Sequence, residues 1–373
     1  MTLEKQQPFE NSLLWKLKLR LQFSGWLQYI IHAVWIVIML IIAGVGWLIG
    51  YWPLVLFWMP LGIAALLCIV LVSTIVLVKY GMHPAERIPA RKSDLDAFDL
   101  MRSRRSCRSF QSQNLSKEHY AELMDKVEFH GRQCQQMGQQ PIRFEYVAAP
   151  LTVWPVVGAR EFLVAIAPRE YKRLSIIDVG RSLQKIVFHA TEMGLGTCWI
   201  GPGADQKSII QHLGDEYDSK KDHVICVCAI GYESMFKPLL VRLVQKLQHT
   251  RLPLHELFFS DSDCVSAIET KSAPFSEYGR CYEVCQWSPS SYNGQTTRCV
   301  AIATRGEIVR FDFSAATTSR YYAAVALGIW CANWETGCVA LGKKGHFDVL
   351  SSRRRDCEDT PELPSYDISW VVG

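Results

Sequence analysis

Between Leu21 and Val78 the chain has no Asp, Glu, Lys or Arg, a gap of 58 residues. The gap argues against a soluble start, because soluble cores rarely go so far without charge. One membrane span takes about 20 apolar residues, so the gap has room for two spans and a turn. A dominant charge sign is also missing: 40 basic residues face 36 acidic ones, for a net +4. That balance gives no footprint for nucleic acid. The 13 cysteines include no paired CxxC units, so no zinc site is expected. Their odd number and scatter fit reduced thiols packed as small hydrophobes in a cytoplasmic body. No G-x-G-x-x-G occurs, which argues against a dinucleotide held on a Rossmann turn. Neither a Ser-His-Asp set nor a carboxylate pair stands out, so no catalytic side chain is assigned. The ten histidines are scattered.

The uncharged run divides at Gly50-Tyr51-Trp52-Pro53 into spans near Trp26–Ile49 and Leu54–Val78. Trp47, Tyr51, Trp52 and Trp58 suit an aromatic belt at that turn. Lys16, Lys18 and Arg20 precede the run; Lys79, Arg87, Arg91 and Lys92 follow it. Basic flanks on both sides predict a two-pass hairpin with the N-terminus and the following body cytoplasmic. The apolar stretch is too long for a cleavable signal peptide and has no small-residue cleavage pattern. Five parts follow: an amphipathic lead over 1–25, the hairpin over 26–79, a Pro/Arg linker over 80–93, and two lobes over 94–258 and 259–373. The membrane, met through residues 21–78, is the first expected partner.

The body alternates helical and strand patterns. Asp94–Arg104 and Ser116–Gly131 read as helices, the second capped by Ser116. Leu174–Gly194 is a long helix stopped by its glycine. Phe144–Ala149 and Glu161–Ala167 read as strands, and His223–Gly231 as a buried central strand. Phe275–Trp287 and Thr318–Thr336 read as helices, the latter starting at a Thr cap. Arg298–Thr304 and Glu307–Phe313 form a hairpin closed by Arg305-Gly306. Gly345–Leu350 and Asp367–Val372 are closing strands. A weak repeat is visible: Tyr321–Leu341 echoes Asp178–Ile200, and 293–300 echoes 137–144.

Three stretches carry chemistry. Arg104-Arg105-Ser106-Cys107-Arg108 offers guanidinium forks and a hydroxyl suited to a phosphate. Gly194-Leu195-Gly196 is a tight turn where backbone can approach a flat ring. Ser288-Pro289-Ser290-Ser291-Tyr292-Asn293-Gly294-Gln295 brings hydroxyls and amides able to bond a polyol chain.

In this order the three stretches resemble the nitroreductase family of FMN-dependent oxidoreductases. The branch most similar has two tandem halves in one chain that imitate the family's dimer. The resemblance implies an α+β nitroreductase-like fold of that kind, preceded here by two transmembrane helices. It implies an FMN phosphate and ribityl end held by Arg104, Ser106 and Arg108, with Arg105 a further contact or a solvent-facing charge. Arg251 is a candidate second phosphate ligand. Ser290, Asn293 and Gln295 reach the flavin from the second half, and Gly194, Leu195 and Gly196 offer backbone to its ring. NAD(P)H is then a transient hydride donor, and a nitroaromatic, quinone-like or other electrophilic small molecule the acceptor. The first half keeps the Arg cluster and the second keeps the Ser-Pro-Ser-Ser segment, so one site per chain is expected. Thr296-Thr297 stand where the family often has Pro and an aromatic. That departure motivates an alternative, a catalytically silent accessory subunit of a membrane complex. Flavin-dependent dehalogenation is a lesser option.

Overall fold

A computed structural model describes residues 17, 20–21, 26–50, 52–151, 153–154, 156–201, 203–247, 250–357 and 362–373. Most of the amphipathic lead, and Tyr51 of the expected belt, lie outside the described residues. The hairpin consists of α1 (Leu27–Ile49) and a second helical run whose regular part is α2 (Met59–Thr74). Gly50 ends α1 with φ +67°, the left-handed stop that glycine adopts without strain. Two helices here are long and apolar enough to cross a membrane, with windows at His32–Ile49 and Leu54–Lys79. Only 22% and 6% of those windows is buried, unlike a soluble core helix. Lys79 sits 3.7 Å over the Trp26 ring, so the two feet of the hairpin meet at one level.

The body comprises α3 (Ala97–Ser103), α4 (Lys117–Gly131), β1 (Arg143–Ala148), β2 (Glu161–Pro168), α5 (Arg173–Glu192), β3 (Gly196–Ile200), α6 (Gln206–Leu213) and β4 (Asp222–Gly231). It continues with α7 (Leu239–Leu247), β5 (Phe258–Phe259), α8 (Gly279–Gln286), β6 (Thr297–Thr304), β7 (Glu307–Ala315), α9 (Tyr322–Ala340), β8 (Gly345–Asp348), α10 (Ser352–Arg355) and β9 (Ser365–Val372). One sheet runs β1-β2-β4-β3 and is antiparallel throughout. The second runs β5-β6-β7-β9-β8, with only the short β5 parallel to its neighbour.

Helix α5 packs on the first sheet, α9 packs on the second, and the two helices pack on each other. The fold is therefore layered sheet, helix, helix, sheet around a main core, with a second buried cluster on the other face of the first sheet. The helices cross at glycines. A Cβ on Gly328 would overlap the Ile177 carbonyl oxygen, and one on Gly180 would overlap that of Val325. Backbone meets backbone there, which no larger side chain permits.

The Ser116 cap is present: its hydroxyl accepts from the His119 N–H at 3.2 Å. The strand at Asp222–Gly231 is interior and almost wholly buried. Arg305 (φ +54°) and Gly306 (φ +83°) close the expected β6–β7 hairpin. Helix α9 differs from expectation at both ends. It starts at Tyr322, not at a Thr cap, because Arg320 and Tyr321 are held by Tyr171 and His223 instead of winding. It runs past Gly337, which is a packing glycine: a Cβ there would come within 2.8 Å of Cys281 Sγ.

Candidate functional site

Three loops converge where the C-terminal end of α5 meets the N-terminal end of α9. They enclose a cleft of about 650 Å³. Arg104 ends α3 in an extended conformation, and the chain then runs beside β3. Ser106 bridges to Thr197, and Cys107 N–H donates to the Thr197 carbonyl at 2.8 Å. This extra edge aims the arginine stretch into the cleft. Arg104, Arg105, Ser106 and Arg108 all line it.

Among the described residues that line the cleft, cations outnumber carboxylates. Arg104 is 6% exposed, and its Nη1 has no hydrogen-bond partner among the described residues. Burial, followed by repulsion from Arg105 and Arg251, brings its guanidinium down to about 10. Arg251 is also lowered, by burial and then by Arg105. Arg105 and Arg251 each sit 5.0 Å from the ring centroid of Trp287, which spaces the two cations on one aromatic. Arg108 Nη1 donates to Cys198 Sγ at 3.5 Å. The carboxylate at the rim, Glu233, pairs with Lys237 at 2.6 Å.

The second-lobe loop closes the other side. Ser290, Ser291, Tyr292 and Asn293 line the cleft, and Tyr292 and Asn293 hold φ of +51° and +57°. Asn293 Oδ1 accepts from Arg251, while its Nδ2 donates to the Thr250 carbonyl at 2.8 Å. Gln295 lies outside the cleft lining. Its Oε1 accepts from the Leu252 N–H at 2.8 Å, so it braces the Arg251 segment from behind. Ten of the eleven expected positions thus share one cleft, and Gln295 supports it.

Gly194, Leu195 and Gly196 line the cleft, but their glycines answer to protein neighbours. A Cβ on Gly194 (φ +82°) would lie 2.5 Å from the Ala90 carbonyl oxygen. One on Gly196 would lie 2.7 Å from Cys107 Sγ. Sequence reasoning missed the reason: the 80–93 linker returns onto this turn, with Lys92 N–H donating to the Glu192 carbonyl at 2.7 Å. Pro89, Ala90 and Lys92 consequently form a wall of the cleft. Leu195, Ile200, Val325, Ala326 and Ile329 supply apolar wall, and Trp154, Trp199 and Tyr322 aromatic edge. Of these, Leu195, Trp199 and Ile200 belong to the glycine-turn stretch read from the sequence; Trp154, Tyr322, Val325, Ala326 and Ile329 carried no local signal. Among the described residues no group of three or more His, Cys, Asp or Glu could hold a metal ion.

An apolar trough with a buried cationic end thus lies between the two sheet-and-helix layers. The chain belongs to the nitroreductase family: residues 96–337, well over half of it, match the family model described as "Putative TM nitroreductase". A search of curated proteins finds no match. Among solved structures, a nitroreductase-type protein from Thermotoga maritima is 13% identical, with TM-score 0.43. That alignment covers 78% of this chain and 96% of the other. An FMN-dependent nitroreductase from Clostridium difficile is 23% identical with TM-score 0.30, covering 37% of this chain and 88% of its own. A Bacteroides fragilis nitroreductase with bound FMN is 13% identical with TM-score 0.29, covering 38% and 90%.

Proposed function

We propose that the cleft holds FMN, and that the protein is a membrane-anchored oxidoreductase. It takes hydride from NAD(P)H and delivers it to a nitroaromatic, quinone-like or other electrophilic acceptor. The observation that carries this reading is Arg104: a buried guanidinium among cations, with an N–H that has no partner among the described residues. Such a group calls for an anion, and a phosphate ester meets it. FMN, when bound, supplies the two-electron carrier.

The chain's own residues orient and enclose that cofactor. Arg104, Arg105, Ser106, Arg108 and Arg251 hold its phosphate and ribityl end. Ser290 and Asn293 close on it from the second lobe, with Gln295 keeping Arg251 in place. Backbone of Gly194, Leu195 and Gly196 borders the ring, and the apolar wall keeps water from it. A nicotinamide donor and the acceptor would each reach the cofactor through the cleft.

Support for the anchor comes from the two exposed apolar helices and from the basic residues on both flanks. The body and the N-terminus then share the cytoplasmic side. The tandem-half reading is supported by the two sheets and by the two long helices crossing at paired glycines. Protein extracted from membranes should be yellow and should bleach with NAD(P)H. Colourless protein that takes up no added FMN would remove this reading and favour the accessory-subunit alternative.

A further inference from the structure

Helix α7 leaves apolar side chains in solvent beside the feet of the hairpin. Leu239 and Leu243 are 50% and 45% exposed, and Met235 just ahead of the helix is 80% exposed. Arg242 and Lys246 are exposed on the same helix, while Val241 is buried. At helical spacing Leu239 and Leu243 share a face flanked by those two basic residues. The helix also contacts α1.

Its approach is pinned to the chain leaving the hairpin. Glu86 accepts from Ser234 Oγ at 2.9 Å and from the Met235 N–H at 2.6 Å. The His83 ring lies 4.4 Å from that of Phe236. Tyr80 and Met82, just past Lys79, are exposed as well. An apolar strip therefore passes from the hairpin onto the body, bordered by cations. Apolar rows with basic flanks on a short helix fit the plane of a membrane interface.

We propose that α7 lies in the headgroup layer of an anionic bilayer, as a lip between the hairpin and the cleft. The proposal rests on the membrane reading of the hairpin given above. Leu239 and Leu243 enter the acyl boundary, and Arg242 and Lys246 meet anionic headgroups. Lys237, two positions before α7, lines the cleft together with Pro89, Ala90 and Lys92. The rim thus stands at the lipid surface.

The test uses the full chain in phosphatidylcholine–phosphatidylserine nanodiscs. A dansyl-bearing amino acid replaces Leu243, Ile69 or Val265, one at a time, against lipids with a doxyl quencher near the headgroup or deep in the acyl chain. Emission from position 243 should fall roughly twofold with the shallow quencher and less with the deep one, at a depth of roughly 5–10 Å. Position 69 should show the reverse order, and position 265 neither effect. Quenching at 69 without quenching at 243 overturns the lip and leaves the hairpin reading intact. An unquenched position 69 removes the hairpin reading and the lip with it. The pair Arg242→Glu and Lys246→Glu should weaken shallow quenching at 243 in anionic discs only. An equal effect in pure phosphatidylcholine would overturn the headgroup pairing.

Discussion

Replacing Arg104 by Met should move apoprotein stability and flavin affinity in opposite directions. The guanidinium is buried, and its pKa falls from the ordinary guanidinium value to about 10 in the folded chain. A folded value below the unfolded one means that folding disfavours the charged form. The penalty is fully present below about pH 10 and fades as pH rises toward the ordinary guanidinium value. At neutral pH it is on the order of 3 kcal/mol. Met has a similar reach and no charge, so Arg104→Met should raise the apoprotein Tm, by about 2–4 °C for each kcal/mol regained. Against FMN the variant loses charge-assisted bonds of about 1.5–3 kcal/mol each. That corresponds to roughly 10- to 150-fold weaker binding per bond. Calorimetry of the apoprotein and titration of flavin fluorescence give the two numbers. Riboflavin, which lacks the phosphate, should bind wild type and variant alike. A variant with a lower apoprotein Tm and unchanged FMN affinity would refute the argument; an equal loss for riboflavin would show that Arg104 does not read the phosphate.

Gly328→Ala should destabilise the body by about 3 kcal/mol, seen as an earlier urea midpoint, because the new methyl meets the Ile177 carbonyl on α5. His130 is held neutral to about pH 4, chiefly by burial and then by Lys185, so the unfolded chain binds more protons between pH 6.5 and 4. Stability should fall with pH across that window, and His130→Gln should flatten the slope in acid-denaturation curves. Flavin released from purified holoprotein should approach one per chain; a ratio near two would contradict the single-site reading.

Much of the fold was legible because it obeys simple periods. α4 and α5 follow the helical repeat with a serine cap and a glycine stop, and β4 is an unbroken apolar run. What escaped notice was decided by long-range packing. β3 was hidden because Gly196–Ile200 begins inside a glycine turn, and its strand character depends on pairing with β4. Gly337 looks like a helix stop, yet Cys281 and Phe98 pack against it and the helix continues. The arginine cluster was legible by composition alone. Its electrostatic state was not, since that depends first on burial, then on Arg105, and then on Arg251 arriving from far along the chain. The linker read as a spacer because nothing local shows that Pro89 and Ala90 return to cover the Gly194 turn.

The two ends of the α5–α9 pair carry opposite electrostatic bookkeeping, which argues for a single site. At one end Arg181 donates to both oxygens of Glu335, at 2.9 and 2.8 Å, and Lys185 pairs with the same carboxylate at 2.7 Å. Asp178 there accepts from the Met137 and Gly138 N–H groups at 2.9 and 2.7 Å. Two cations and two anions leave that end neutral and already hydrogen-bonded, in the segment that echoes Asn293-Gly294-Gln295. At the other end Arg104, Arg105, Arg108 and Arg251 gather around space, with Glu233 already paired to Lys237. A neutral network has no use for an anionic ligand, whereas a cationic cleft is made more stable by one. That asymmetry is why the proposed flavin is expected in the cationic cleft alone, one per chain.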